Sequence, residues 1–389
     1  MQFEFASAGR IVFGLGVFSQ VGKLVAEFGS RALVVHGIQN QALDNLVADL
    51  KDNDLEIATF LVESEPDVGL LQEAINAARA FDCDMVISLG GGSALDTGKA
   101  IAVLLTNPGD LYDYLEVVGK GKGLKYPGLP FIAIPTTAGT GSEVTRNAVL
   151  GAEVPGKPGD IVKVSLRSAF MLPRLALVDP ELTFSLPSNI TAATGMDAVT
   201  QLIEPFLSNK ANPLTDGICR EGMVRAARSL QVAVRQGDNP AARTDMSVAS
   251  LFGGLALANA KLGAVHGFAA PIGGLFHAPH GAICARLLPI VMEMNYRALL
   301  QRDPESPVLE RFDEVGRLLT GIPAATAQDA IYWLTELSSA LRIPGLAGYG
   351  LTSADLGRLA SLAAQASSMQ GNPIRLSHEE LKEILWLAL

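Results

Sequence analysis

The chain changes character near Pro180, and this change limits its fold more than any other feature. Before that point, short β-branched or apolar runs alternate with longer amphipathic stretches. Arg31–His36, Glu56–Val62, Asp84–Leu89, Phe131–Pro135 and Leu175–Val178 read as strands. Between them, Ile38–Asn53 and Val68–Phe81 have helical spacing; in the second, Leu70, Leu71, Ile75, Ala78 and Phe81 fall on one face. Strands alternating with helices imply parallel pairing and right-handed crossovers. The near-continuous apolar character of the strands implies that both sheet faces are covered. After Pro180 no strand run is evident. Thr191–Leu207, Pro213–Gln236, Thr244–Leu262, Ala282–Leu300, Ser306–Leu319 and Thr326–Ala340 read as helices, with Pro187, Pro213, Pro279, Pro323 and Pro344 marking breaks. The expectation is a Rossmann-like parallel α/β domain over residues 1–182, followed by an all-helical domain over 183–389. A chain of 389 residues suits two cores of ordinary size.

The composition narrows the function. With 49% hydrophobic and 18% charged residues, the chain has the apolar material to fold and lacks the signature of disorder. A net charge of −10 argues against a nucleic-acid surface, which needs a basic patch to replace condensed counterions. The N-terminal MQFEFASAGRIVFG lacks the basic start and apolar run of a secretory signal. No stretch is apolar enough for a bilayer span, so a cytoplasmic protein with no membrane partner is expected. Cys83, Cys219 and Cys284 are scattered without CxxC spacing, so no disulfide framework or cysteine zinc site is indicated. Cys83 and Cys284, in apolar surroundings, read as small buried hydrophobes.

Two loops carry chemistry. Asp84–Ala100 (DMVISLGGGSALDTGKA) is a strand, a glycine turn and a helix start. Glycines allow close backbone approach, and the N–H groups opening the helix favour a phosphate group. A tight turn alone would also use glycines, and Asp96 would also serve as a stabilising first-turn acid. Pro135–Thr145 (PTTAGTGSEVT) follows the strand FIAIP and concentrates hydroxyls and glycines more than a capped polar turn requires. Two such loops at strand C-terminal ends mark the usual ligand crevice of an open α/β sheet.

GGGSALDTGKA, PTTAGTGSEVT, LALVDPELT, GMDAVTQLIEPF and HGFAAPIGGLFHAPHGAICARLLPIVMEMN together resemble the iron-containing (group III) alcohol dehydrogenase family, in order and over essentially the whole chain. The resemblance implies a dehydroquinate synthase-like architecture, in which the active site lies in the cleft between the dinucleotide domain and the helical metal-binding domain. It implies NAD or NADP at Gly91, Gly92, Ser93, Asp96, Thr136, Thr137, Thr140 and Ser142, with Lys163 reaching the cofactor. It also implies one divalent metal, iron or zinc, polarising the substrate oxygen, and a homodimer.

The family's metal site is an Asp, a His four residues on, and two further His. The matching positions here are Asp197, Gln201, His266 and His280. Asp197 and Gln201 share a helix face. Gln is neutral and less basic than imidazole, so metal binding is expected to weaken or to drift toward harder cations. The position of the family's proton-relay His is Ala270, which leaves His277 as the nearby catalytic candidate or simply a helix-entry residue. His36 and His378 read as surface or loop residues. The family's ribose-binding Asp falls on Gly37, which removes a repulsion against a 2′-phosphate and keeps NADP open beside NAD. Phe252, Gly253, Gly254, Phe268, Ala269 and Ala270 suggest an apolar cleft beside the metal.

The expected function is therefore a metal-assisted NAD(P)-dependent interconversion of an alcohol with an aldehyde or ketone. The rivals are a metal-independent oxo-acid reductase resembling maleylacetate reductase, with Arg146 and Arg167 binding a carboxylate, a dehydroquinate-synthase-like lyase, and a catalytically altered dinucleotide-binding protein.

Overall fold

The structure, a computed structural model, describes residues 2–154 and 156–389, excluding the side chains of residues 157–160. It divides into two compact units, Ala6–Ser185 and Leu186–Leu389 together with Met1–Phe5.

The first unit runs β1 (Ile11–Phe13), α1 (Val21–Val25), β2 (Arg31–His36), α2 (Gln41–Asp52), β3 (Glu56–Leu61), α3 (Val68–Phe81), β4 (Met85–Gly90), α4 (Gly92–Leu104), α5 (Leu111–Tyr114), β5 (Phe131–Pro135), β6 (Asn147–Val154), β7 (Lys157–Arg167) and β8 (Leu175–Val178). Six strands form one sheet in the order β1-β8-β5-β4-β2-β3, all pairs parallel. Side chains alternate across it. Leu33, Val35 and Val86 join a core with residues of α3 and α4, while Ala32, Val34, Met85 and Ile87 join a second core with residues of α1 and α2. Every residue of β4 is buried, which explains why its run is apolar without alternation.

The chain leaves β2 for β3 on one side and leaves β4 for β5 on the other. The carboxyl ends of β2 and β4 thus form the topological switch point at which an open α/β sheet offers a crevice.

Five strands lie where the residue pattern puts them, within a residue or so at the ends. Two features depart from that reading. Ile11–Phe13 adds a short edge strand paired with β8. Asn147–Val154 and Lys157–Arg167 form an antiparallel hairpin separate from the parallel sheet. Ala148, Leu150 and Ala152 on one strand and Val164 and Leu166 on the other are buried, an alternation that the intervening glycines and prolines disguise as loop.

The second unit is helical among its described residues: α6 (Ser188–Leu207), α7 (Pro213–Arg235), α8 (Pro240–Ala260), α9 (Ala264–Phe276), α10 (His280–Arg302), α11 (Val308–Thr320), α12 (Ala327–Ala340), α13 (Leu356–Gln365) and α14 (His378–Ala388). Several starts carry their own chemistry. Asn212 and Thr215 form a capping box at α7, as do Thr326 and Asp329 at α12 and Ser377 and Glu380 at α14. Pro205, Pro271 and Pro289 stand inside α6, α9 and α10 rather than between helices. Each removes the N–H that would bond the carbonyl four residues earlier, on Gln201, Gly267 and Ala285. The Ala285 carbonyl accepts the Ser338 hydroxyl at 3.3 Å instead.

Among the described residues no single helix is long and apolar enough to cross a membrane. Only α8 and α9 taken together, bent by 101°, pass by length and composition.

Candidate functional site

At the switch point, the glycine turn after β4 meets the chain leaving β2. The Gly37 N–H donates to the Leu89 carbonyl at 3.1 Å. A Cβ on Gly90 would come 2.7 Å from the Ala94 Cβ and 3.0 Å from the Gly37 nitrogen, so only glycine fits. Gly91 caps α4 in extended conformation and has no side chain to satisfy the first-turn N–H groups, which leaves them for an anion.

The second loop packs against this turn. The Thr136 N–H donates to the Gly90 carbonyl at 3.0 Å. Cβ atoms on Gly91 and Gly92 would lie 3.3 Å from Thr137 Cγ2 and 3.0 Å from Thr140 Cγ2. Gly37, Gly91, Gly92, Ser93, Thr136, Thr137 and Thr140 are thus gathered around one α4 N-terminus.

Asp96 and Ser142 are held inward instead. The Ser142 hydroxyl donates to Asp96 Oδ1 at 2.5 Å, and the Val149 N–H donates to Asp96 Oδ2 at 2.9 Å. Lys99, which sequence reasoning missed, completes this knot. Fully buried, its Nζ donates to the carbonyls of Ser142 (3.0 Å) and Asn147 (2.6 Å) and to the Thr145 hydroxyl (2.8 Å), and it lies 3.1 Å from Asp96 Oδ1. Burial lowers the Lys99 ammonium from its ordinary value, against the pull of Asp96. Nearby Glu143, also buried, is pushed up to about 7 by desolvation. Little local signal marks Lys99 in the sequence, because all of these partners except Asp96 lie more than forty residues away.

Lys163 sits on β7 with its Nζ 2.8 Å from Glu65, with which it forms an ion pair. Arg167 lies 3.8 Å from Glu116 at an exposed position. A cavity of about 630 Å³ opens at the end of β2, lined by His36, Gln39, Asn40, Gln41, Asp44 and Thr59 among others. His36 is not a surface residue. It ends β2, is buried, and its Nδ1 lies 2.9 Å from the Ile38 carbonyl. His378 is exposed at the start of α14.

The helical unit gathers a second set of donors. Asp197 and Gln201 lie one turn apart on α6, His266 is in the first turn of α9, and His280 begins α10. His266 Nε2 is 3.3 Å from Asp197 Oδ1, His280 Nε2 is 3.8 Å from the same oxygen, and the two imidazole rings are 5.3 Å apart. Glu204, one turn beyond Gln201, orients His266. Its Oε2 accepts from His266 Nδ1 at 2.7 Å, while its Oε1 accepts the Val265 N–H at 2.7 Å. With Nδ1 donating to Glu204, Nε2 is the ring nitrogen turned toward the Asp197 carboxylate.

The Asp197 Oδ1 atom beside it is buried and has no hydrogen-bond partner. Gln201 donates its amide to Asp197 Oδ2 at 3.1 Å, which leaves its own Oε1 buried and unpartnered. Orphaned buried acceptors of this kind are costly unless a cation satisfies them. The donor set fits a divalent ion: one carboxylate, two imidazoles and a nearby amide oxygen. Burial works against the Asp197 carboxylate, but His280 and His266 beside it hold it below the ordinary carboxylate value. Burial also opposes charge on His266, yet Cys284, Asp197 and Glu204 raise it well above the ordinary imidazole value.

Cys284 is a further residue at this place that sequence reasoning missed. It is buried, as expected, but its sulfur adjoins both imidazoles rather than an apolar pocket. The available signal was its position one turn after His280. Burial pushes its thiol up to about 12.

His277 is exposed, outside this group, and ends α9 in the left-handed region at φ 51°. Ala270, one turn after His266, is half-buried and carries no titratable group. Of the residues expected to line an apolar cleft, Gly253, Gly254, Phe268 and Ala269 are buried, and only Phe252 and Ala270 keep partial exposure. Gly253 instead makes room for Gln201, whose Cβ would be 3.0 Å from a Cβ placed there.

Comparisons with known proteins agree with both halves. Residues 8–180 match the iron-containing alcohol dehydrogenase family, and residues 191–389 match the C-terminal domain of the Fe-containing alcohol dehydrogenase family. The chain is 36% identical to the 1,3-propanediol dehydrogenase of Klebsiella pneumoniae over 392 residues, 98% of this chain and 97% of that protein. A crystal structure of 1,3-propanediol oxidoreductase superposes with a TM-score of 0.91 at 34% identity, covering 100% of both chains. Sulfoacetaldehyde reductase from Bifidobacterium kashiwanohense, solved in complex with NAD+, superposes with a TM-score of 0.85 at 29% identity, covering 100% of this chain and 99% of that one. Matched along both halves and over nearly its full length, the chain belongs to the iron-containing alcohol dehydrogenase family, NAD(P)- and metal-using oxidoreductases that interconvert alcohols and carbonyl compounds.

Proposed function

We propose that this alcohol dehydrogenase binds its dinucleotide on the Ala6–Ser185 unit and its metal and substrate on the helical unit, as a cytoplasmic homodimer. The single observation that carries the metal assignment is the buried, unpartnered Asp197 Oδ1 with His266 Nε2 3.3 Å away. Asp197, His266 and His280 would hold the ion, with Gln201 close by.

When bound, the ion supplies a Lewis acid for the substrate oxygen. When bound, the nicotinamide gives or takes the hydride. The protein's own groups do the rest. Glu204 fixes the His266 ring and keeps its Nε2 available as a donor atom. The α4 N-terminus and the Gly90–Gly92 backbone receive the pyrophosphate, and Thr136, Thr137 and Thr140 offer hydroxyls beside it. Asp96, Ser142 and Lys99 serve by fixing the two loops against each other. Lys163 would reach the cofactor only by releasing Glu65. Ala270 neither donates nor accepts a proton, so the relay falls to another group, a water or the cofactor ribose. His277 is a weaker candidate because it lies outside the donor group.

The neutral Gln39, Asn40 and Gln41 beside Gly37 support acceptance of NADP(H) as well as NAD(H), with Asp44 the one carboxylate on that cavity. The relatives named for 1,3-propanediol and sulfoacetaldehyde support a small, polar alcohol or aldehyde as substrate.

The test is a screen of short aldehydes, diols and hydroxy acids with both cofactors, run on protein as purified, chelated, and reloaded with iron or zinc. Turnover that disappears on chelation and returns with one metal is expected. Full activity in metal-free protein overturns the assignment.

A further inference from the structure

Cys284 shares the metal-donor constellation rather than bordering it. Its Sγ lies 3.9 Å from His266 Nε2 and 3.7 Å from His280 Nε2. One donor atom from each of Asp197, His266, His280 and Cys284 lies within 4.8 Å of all the others. An ion with bonds of about 2.0–2.2 Å to nitrogen and oxygen and about 2.3 Å to sulfur, arranged tetrahedrally, separates its ligand atoms by roughly 3.3–3.6 Å. The distances found between nitrogen and oxygen (3.3 and 3.8 Å) and between sulfur and nitrogen (3.7 and 3.9 Å) need only a few tenths of an ångström of closure.

The backbone favours this pairing. His280 and Cys284 are one turn apart at the start of α10, so a single helix face presents both. Gln201 is engaged differently: its amide N–H groups point at the Asp197 carboxylate, 3.1 Å away. The position at which the family carries an imidazole therefore supports a ligand here, and a sulfur stands where a fourth donor is needed. The orphaned Asp197 oxygen, aimed at the same point, is the independent sign that an ion belongs there.

We infer that the Cys284 thiolate is a direct ligand of the divalent ion, completing a set of Asp197, His266, His280 and Cys284 in which Gln201 steadies Asp197. This set presupposes the metal-assisted function proposed above. On ligation the S–H bond is replaced by a sulfur–metal bond and the proton leaves to solvent; no oxidant or reductant takes part. A thiolate is a soft donor, so the set selects zinc or cobalt(II), opposite to the drift toward harder cations that Gln201 alone implies.

The full-length protein loaded with cobalt(II) tests this directly. A thiolate-to-cobalt charge-transfer band in the near ultraviolet is expected in the wild type and in Cys83→Ser. Cys284→Ser should lose the band while still taking up cobalt, with zinc affinity lowered by about 100-fold or more. Bound cobalt without the band in the wild type, or a band that survives Cys284→Ser, overturns the thiolate ligand and leaves the metal-assisted function standing. No bound metal under any loading overturns both. If Cys284→Ser fails to fold, X-ray absorption on the wild-type zinc protein decides: a sulfur neighbour at about 2.3 Å supports the assignment, and a shell of nitrogen and oxygen alone refutes it.

Discussion

Glu143 lies buried in the second glycine-hydroxyl loop, beside Lys99, and desolvation pushes its carboxyl from 4.5 to about 7. In the unfolded chain the same group titrates near its ordinary value. At about 1.4 kcal/mol for each tenfold change, the gap means that ionised Glu143 costs the fold about 3 kcal/mol. The sign follows from proton counting. Well below pH 4.5 the group is protonated in both states and contributes nothing. Between 4.5 and about 7 the unfolded chain releases the proton first, so stability falls as the pH rises, and above about 7 the full cost is present. Glu143→Gln keeps the shape and removes the charge. The variant and wild type should therefore agree within about 1 kcal/mol at pH 5, and the variant should be more stable by up to about 3 kcal/mol at pH 8. Exchange of the buried β4 and β5 amides, compared at the two pH values, measures opening of this unit. A variant that is less stable at pH 8, or a difference that does not change with pH, would refute the reasoning. It would mean that Lys99 holds Glu143 as a compensated ion pair.

Three further outcomes follow from other parts of the molecule. Glu204→Gln should weaken zinc binding by about 10- to 100-fold with little change in overall stability, because it disturbs the group that orients His266; competition with a chromogenic chelator measures it. Gly90→Ala should raise the dissociation constant of the dinucleotide by at least about tenfold, since a Cβ there must displace the Ala94 and Gly37 neighbourhood by several tenths of an ångström; fluorescence titration with the reduced cofactor reads it, and unchanged binding sinks the cradle. Gly37→Asp should be tolerated, because its Cβ meets Ala94 only at 3.5 Å, and should disfavour NADPH against NADH by roughly tenfold or more through charge repulsion, read as the ratio of kcat/KM values.

Much of the first unit could be read from the chain because its strands are buried on both faces and its loops are glycine-rich, two signals that are local in sequence. The hairpin Asn147–Arg167 escaped because its alternation is broken by residues that usually mean loop. Helix α9 escaped because Pro271 and its glycines argue against a helix that tertiary packing nonetheless sustains. The candidate donors Asp197, Gln201, His266 and His280 were visible through the family resemblance, and the fold brings all four together. Cys284 and Lys99 were missed for a common reason. A thiol in an apolar run and a lysine in a helix look ordinary until distant segments supply most of their partners, and those longer-range contacts are set by tertiary structure. His36 was misread for the complementary reason: the end of a strand looks like surface unless the neighbouring loops are known to cover it.

Each of the three helices that carry the candidate metal donors is interrupted by a proline within nine residues after its last such residue: Pro205 in α6, Pro271 in α9 and Pro289 in α10. A missing rung makes a helix yield locally, so the donor-bearing turns are separated from the remainder of their helices by three soft joints. An ion bound by side chains from all three would act as a rivet across those joints. Its removal should then be felt as independent fraying of three short segments rather than as loosening of the whole bundle, with the other helices keeping their protection.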